Sequence, residues 1–174
     1  MTENNQPIAS LQKLLDYDAG KFTSAEIQLK ISLQQWINQT GSIKLKNVLQ
    51  KYLEFIQLHV ERLETFFEDE EIISISLHNR VMKALIDEID EKLLLCSDER
   101  IKDACLLAGI QEVNHFKIST YGTAAAFANT LKMDKHAIVF HEAEVNEKQI
   151  DDRLTQLAEY EINSKAKDTV TYHA

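Results

Sequence analysis

The sequence predicts an all-α fold, a bundle of four long helices with a shorter helix in the crossover between the second and the third. The 174 residues include one proline and four glycines, so few positions favour a turn. The strong helix formers Leu, Ala, Glu, Lys and Gln are frequent. Apolar residues recur at spacings of three and four along the chain, which is the period of an amphipathic helix.

A single domain is expected, because a chain of this length with 44% hydrophobic residues can bury one core. We expect residues 21–163 to form the bundle. Residues 1–20 are expected to form a polar N-terminal arm with a short apolar segment at residues 8–15, followed by a break at residues 18–20. Residues 164–174 lose the helical pattern and are expected to fray.

The first long helix is expected to begin near Thr23 and to end before Gly41. Its seam comprises Phe22, Glu26, Leu29, Leu33 and Trp36. Thr23 and Glu26 also have the spacing of a capping box. Glu26 therefore has two interpretations, as the acid of a helix cap or as a carboxylate directed into the bundle.

The second long helix, predicted over residues 42–71, carries an apolar stripe and a polar line beside it. The stripe comprises Leu49, Leu53, Ile56, Val60, Leu63 and Phe67. The polar line comprises Gln50, Glu54, Gln57, Glu61 and Glu64. By spacing alone, this line is a solvated face rather than a site.

A shorter helix over residues 77–95 is the expected crossover, and Ser97, Asp98 and Glu99 are expected to cap the third long helix. That helix runs to about residue 131 and places two amides, Gln111 and Asn114, on its seam. The fourth long helix, over residues 134–163, carries three acids on its seam, namely Glu144, Glu147 and Asp151.

Four long helices with one long crossover describe a ferritin-like bundle. In that architecture metal ligands point inward, one carboxylate from each of two helices and a Glu-x-x-His pair from each of the other two. Glu26, Glu54, Asn114 and Glu147 lie at matching heights along the four predicted helices. The centre of the bundle is therefore the place to expect a site.

Charge and composition exclude several classes of protein. The formal net charge of -9 repels nucleic-acid phosphates and anionic lipid, so we expect neither nucleic acid nor membrane as a partner. No apolar run reaches the roughly 18 residues of a membrane span. Cys96 and Cys105 are too few for a disulfide scaffold and are expected to be free packed thiols, so a reduced, cytoplasmic protein is expected.

A run in the third helix, with shorter motifs in the other helices, resembles a known family. The run comprises Gln111, Val113, His115, Ile118 and Tyr121-Gly122-Thr123. The shorter motifs are Ser24-Ala25-Glu26, Gln28-Leu29, Leu53-Glu54, Val60-Glu61-Arg62, Met82, Leu85-Ile86, Glu147-Lys148, Leu154-Thr155 and Leu157-Ala158. Over residues 23–166 the chain resembles the YciE/YciF stress-protein family of ferritin-like bacterial proteins.

The resemblance implies a ferritin-like bundle, a homodimer and a two-metal carboxylate site without an established reaction. In the second helix the family has a Glu-x-x-His, whereas here Glu54 is followed by Gln57. In the third helix Asn114 and Lys117 stand where the family has two glutamates.

In the fourth helix Asn146 and Glu147 keep one of the family's consecutive glutamates. The resemblance thus leaves Glu26, Glu54 and Glu147 as a vestigial or weak metal set. These three carboxylates are too few for two divalent ions, so the prediction is no cofactor, with weakly bound iron or manganese as the alternative.

Lys117 has two possible placements. Inside the bundle, its ammonium would repel metal and pair with the remaining acids. Outside, the acids would need protonation or another donor such as His115, because an unpaired buried charge is costly. His115 is otherwise expected to be a structural histidine, and His59 a surface or packing residue on a different face from Gln57.

The sequence therefore predicts a stress-associated bundle with a degenerate metal site, acting as a structural or interaction protein whose partner and specific role the sequence does not name. The alternative is a two-metal oxidase or peroxide-handling protein with a rearranged site. A storage cage or DNA-protecting protein is disfavoured, because the chain is acidic and has no evident mineral-nucleating cluster.

Overall fold

The computed structural model describes residues 7–72 and 77–167, and these ranges contain helices and no strand. The helices are α1 (Leu11–Gln39), α2 (Ile43–Asp69), α3 (Arg80–Leu95), α4 (Glu99–Thr130) and α5 (Asp134–Leu157), followed by a π-helical turn (Ala158–Ile162) and α6 (Asn163–Lys167). The prediction of an all-α bundle with a helical crossover is confirmed, α3 being the crossover.

Helix α1 begins well before the expected start near Thr23. Ser10 caps it by accepting a hydrogen bond from Lys13 N at 3.1 Å. The expected break at residues 18–20 is wrong, because Ala19 and Gly20 are small residues buried within the continuous helix, and the predicted domain boundary at residue 20 falls inside α1. Thr23 donates its hydroxyl to Ala19 O at 3.0 Å, so it is not a helix cap.

The other helices lie close to their predicted positions. Ser42, Asn79 and Asp98 cap α2, α3 and α4 by accepting hydrogen bonds from backbone N–H groups of the first turn. At the other end of the chain, residues 164–167 are helical, so the frayed tail was predicted to begin too early. The expectations for residues 1–6 and 168–174 lie outside the described residues.

The long helices pack in two pairs, α1 on α2 and α4 on α5, while α2 also contacts α5 and α3 covers α1 and α4. Gly109 of α4 allows a close approach to α3, since a Cβ built there would lie 2.4 Å from Ile89 Cγ1. None of the described helices is long and apolar enough to cross a membrane.

The buried apolar side chains form two clusters rather than one. The larger cluster includes Trp36, Ile56 and Ile150, and the smaller one includes Phe66 and Phe140. A group of buried polar side chains lies between the two clusters along the bundle axis; His59, for example, follows Ile56 of the larger cluster and precedes Leu63 of the smaller one on α2. This polar layer is the candidate site.

Candidate functional site

Five buried polar residues from the four long helices form the layer: Glu26 of α1, His59 of α2, Asn114 and Lys117 of α4, and Glu147 of α5. Each is at most 2% exposed. Burial of two carboxylates and an ammonium is costly unless they are paired. Their partners therefore determine whether the layer is tolerated.

Lys117 provides the central contact, and its side chain points into the bundle. Its Nζ lies 2.6 Å from Glu147 Oε1 and 3.0 Å from Glu26 Oε2. Both contacts are ion pairs between a buried ammonium and a buried carboxylate oxygen. The ammonium also lies 4.7 Å from the centre of the Tyr52 ring, within cation–π distance. Of the two placements considered for Lys117, the structure has the internal one.

The other carboxylate oxygens accept hydrogen bonds from neutral side chains. Tyr121 donates its hydroxyl to Glu26 Oε1 at 2.5 Å, and Tyr52 donates to Glu147 Oε2 at 2.7 Å. Asn114 donates Nδ2 to Glu147 Oε2 at 2.7 Å and to the backbone oxygen of Glu147 at 3.0 Å. Asn114, one of the two amides predicted on the seam of the third long helix, thus has its partner on α5.

His59 joins the two carboxylates on the side of α2. Its Nδ1 lies 3.2 Å from Glu26 Oε1 and 3.5 Å from Glu147 Oε1. Its Nε2 lies 3.4 Å from Asn146 Nδ2. An imidazole that bridges two carboxylates donates through the nitrogen that faces them. His59 therefore belongs to the same network as Lys117.

The electrostatics favour a charged carboxylate at Glu26 and a charged ammonium at Lys117. Burial acts to raise the pKa of Glu26, but Lys117, His59 and Tyr121 together outweigh burial and lower that pKa to about 2. Burial acts to lower the pKa of Lys117, but Glu147 and Glu26 outweigh it and raise that pKa. The ion pair is therefore ionised at neutral pH.

Both tyrosines remain protonated donors. Burial, together with the charges of Glu147 and Glu26, raises the pKa of Tyr52 well above 10. Burial and the Glu26 carboxylate do the same to the pKa of Tyr121. Neither phenol therefore adds negative charge to the layer at neutral pH.

The structure corrects the predicted position of the site on α2. Glu54 lies at the surface, where Lys51 donates to it at 2.7 Å, and Gln57 is also exposed. Their predicted place in the centre of the bundle is wrong, because the buried face of α2 passes through Tyr52, Ile56 and His59. His59, expected to be a surface or packing residue on a different face from Gln57, is buried on that other face, and its contacts with both carboxylates are what the expectation missed.

The signal for His59 was present in the sequence. Leu45, Leu49, Tyr52, Ile56, His59, Leu63 and Phe66 alternate spacings of four and three and are all buried. The predicted stripe shared only some of these residues, because the aromatic and aliphatic residues of α2 extend beyond one face. A histidine within an apolar seam indicated the site better than the acidic line beside it.

The remaining candidates lie outside the layer. His115 is exposed and lies 3.1 Å from Asp151 through Nε2, so it does not neutralise the buried acids. Glu144 is half-buried and pairs with Lys148 at 2.6 Å. Glu26 and Glu147 are thus the only members of the predicted carboxylate set that the structure brings together.

The layer does not fit the two-metal group that a ferritin-like bundle implies. Glu26, His59 and Glu147 each offer a ligand atom within 4.8 Å of the others. A Glu-x-x-His pair would need a glutamate three residues before His59 and a histidine three residues after Glu147. These positions are occupied by the apolar residues Ile56 and Ile150. Two carboxylates cannot balance the four charges of two divalent ions, and the Lys117 ammonium adds a repulsive charge among the same oxygens.

Known proteins share both the sequence pattern and the fold. The family model described as Domain of unknown function (DUF892) matches residues 10–167. Protein YciF of Escherichia coli (strain K12) is 34% identical over 146 residues, which cover 83% of this chain and 88% of that protein.

Two solved structures have the same fold. The Escherichia coli stress protein YciF superposes with a TM-score of 0.83 at 28% identity and covers 92% of this chain and 99% of its own. YcfI from Rhodopseudomonas palustris, for which a structural role has been suggested, superposes with a TM-score of 0.83 at 27% identity and covers 88% of this chain and 98% of its own.

Proposed function

Because the chain belongs to the family described as Domain of unknown function (DUF892) and is a relative of the stress protein YciF, we propose that it is a stress-associated structural or interaction bundle. In this proposal the central metal site is degenerate, and a lysine of the protein replaces the metal charge. The protein therefore acts through its fold and its surface rather than through metal chemistry.

One observation carries the proposal: the Lys117 ammonium lies within 3.0 Å of both buried carboxylates. A metal ion bound by Glu26 and Glu147 would need the same oxygen atoms. A covalently attached cation stands permanently at this position, whereas a metal ion binds only at a sufficient free concentration. The lysine therefore competes with metal at a very high effective concentration.

Metal analysis and iron titration test the proposal. The protein is purified without chelator, its iron, manganese and zinc contents are measured, and ferrous iron is then titrated in air while oxidation is followed by absorbance. We expect metal well below one ion per chain and no oxidation above the buffer rate. Two irons per chain with rapid oxidation would instead establish the alternative, a two-metal oxidase or peroxide-handling protein.

The proposal includes a homodimer in the cytoplasm. The resemblance to the YciE/YciF family supports the dimer, and Ile27 and Ile31, both exposed one turn apart on α1, provide apolar surface for an interface. The free thiols of Cys96 and Cys105 fit a reducing compartment. Light scattering coupled to size-exclusion chromatography should give twice the chain mass, and a monomer at micromolar concentration would contradict this part of the proposal.

A further inference from the structure

A pocket of about 620 Å³ lies between α1 and the C-terminal part of α2. Its lining includes Thr23, Ser24, Ile27, Glu64, Phe67 and Glu68. A volume of this size is typical of pockets that hold a small molecule. No described residue of its lining belongs to the polar layer, so the pocket is a separate candidate site.

Apolar side chains form one part of the pocket lining. Phe67 and Ile72 are half-buried and pack against the smaller apolar cluster, and Leu77 is also half-buried. Ile27, which also belongs to the apolar surface proposed for the dimer, is 47% exposed. Apolar surface of this kind loses its contact with water when the apolar part of a ligand covers it, and this loss favours binding.

Two carboxylates of α2 also line the pocket. Glu64 and Glu68 are exposed, stand one turn apart and form no ion pair with another described residue. Like charges at this spacing destabilise a helix, and a bound cation would relieve their repulsion. Of the described residues that line the pocket, none is a lysine, an arginine or a histidine. The counter-charge that fits this pocket therefore has to come from a ligand.

The hydroxyl groups in the lining suit an ammonium better than an anion. Thr23 donates its hydrogen to Ala19 O at 3.0 Å, so its oxygen can only accept from a ligand. Ser24 Oγ accepts from Gln28 Nε2 at 2.9 Å and from Asn79 N at 3.0 Å, which leaves its hydroxyl hydrogen to donate. An ammonium donates three hydrogen bonds and would find acceptors in the two carboxylates and the Thr23 oxygen. An anionic ligand would instead face two like charges.

We propose that this pocket binds a small organic cation, a primary amine carried on an aromatic or aliphatic body. The ammonium lies beside Glu64 and Glu68, and the apolar body covers Phe67, Ile72 and Leu77. The inference goes beyond the proposed function and does not rest on it, since the polar layer takes no part in the binding. Its failure would leave the proposed degenerate metal site and structural role untouched.

Titration of the full chain with 2-phenylethylamine hydrochloride at neutral pH tests the proposal. The anion 3-phenylpropionate, which carries the same ring, is the matched probe of opposite charge. The amide chemical shifts of the isotope-labelled protein are followed by NMR spectroscopy. We expect the amine to bind saturably, with the largest shift changes at residues 20–28 and 64–72, and this binding should weaken as salt is added. The anion should cause no saturable shift changes.

The double variant Glu64→Gln/Glu68→Gln should weaken binding of the amine by roughly tenfold or more, because the charge-assisted hydrogen bonds to the ammonium are lost. The matched control Glu54→Gln/Glu61→Gln removes two carboxylates of the same helix outside the pocket and should change the affinity by less than about twofold. All four glutamates are exposed, so we expect both variants to fold. Equal losses in the two variants, comparable binding of the anion, or no saturable binding of the amine to the wild type would overturn the proposal.

Discussion

The Nζ atom of Lys117 lies 2.6 Å from Oε1 of Glu147, joining α4 to α5 in the middle of the bundle where both side chains are at most 3% exposed. The same ammonium contacts Glu26 of α1, so one side chain links three helices. Removing one partner of such a pair leaves charge buried without compensation, and this cost exceeds the net value of the pair itself.

Replacement of Lys117 should destabilise the protein strongly. Lys117→Met keeps much of the side-chain volume but leaves Glu26 and Glu147 without their cation, at an expected cost of about 3–5 kcal/mol in the free energy of unfolding. Chemical denaturation followed by circular dichroism measures this cost. Lys51→Met is the matched control, because it breaks the exposed pair with Glu54 and should cost at most about 1 kcal/mol. Equal effects of the two substitutions would contradict the assigned role of Lys117.

Removal of the ammonium should also open a site for one metal ion. Lys117→Ala leaves two carboxylates and the imidazole of His59, with ligand atoms within 4.8 Å of one another, and space beside them. We expect this variant to bind one zinc or cobalt ion per chain and to regain part of its lost stability on binding. Cobalt absorption and thermal unfolding with and without metal provide the readouts.

The double variant Lys117→Ala/His59→Ala controls for binding elsewhere on the acidic surface. It should lose most of the metal affinity, since one of the three ligands is gone. Equal binding by the single and double variants would show that the metal sits outside the polar layer.

Glu26 should make the protein sensitive to acid. Its pKa is about 2 in the folded protein against an ordinary value of 4.5, so the folded state favours the ionised carboxylate. The stabilisation from Glu26 is fully present above pH 4.5 and is lost as the pH falls from 4.5 towards 2. Urea denaturation at several pH values between 7 and 3 should show this loss. Glu26→Gln should flatten that part of the profile, and an unchanged slope would contradict the prediction.

A side chain at Gly109 should lower the stability of the protein, although alanine is a better helix former than glycine. A Cβ at this position would lie 2.4 Å from Ile89 Cγ1, so α3 or the Ile89 side chain must shift. We expect Gly109→Ala to cost about 1–3 kcal/mol in the free energy of unfolding.

Gly122→Ala is the control within the same helix. Its Cβ would meet the side-chain carboxyl of Glu144 at 3.3 Å, which can move, so the gain in helix propensity should roughly offset the contact. The double variant Gly109→Ala/Ile89→Ala should be less unstable than the sum of its single changes. If the double variant lost as much stability as the two single variants together, the cost of Gly109→Ala would not come from contact with Ile89.

The fold was predictable because helical periodicity is a local property of the sequence. The starts of α2 to α5 agree with prediction to within a few residues, and Ser42 and Asp98 are strong capping residues at two of these starts. The start of α1 was missed for a different reason. Ala19 and Gly20 resemble a turn signal, but small residues also occur where a continuous helix packs closely against its neighbours.

The site was predictable in part. Glu26 and Glu147 lie in apolar seams, but the family resemblance was needed to separate Glu147 from Glu144 and Asp151, and it also gave the importance of Asn114 and Lys117. The position of the site on α2 was missed because that helix has apolar residues on more than one face, and the predicted stripe followed Leu53 and Val60 instead of Tyr52 and His59. The direction of the Lys117 side chain depends on its partners in three dimensions, which no local pattern shows.

Lys117 gives the bundle a counter-charge that is synthesised with the chain. Under the proposed function, no ion has to be delivered, selected from competing ions or loaded in the correct oxidation state, because the charge reaches Glu26 and Glu147 as α4 docks against α1 and α5. Assembly of the interior is therefore complete when the helices meet, and it proceeds equally in a cell starved of iron or manganese and in one that has plenty.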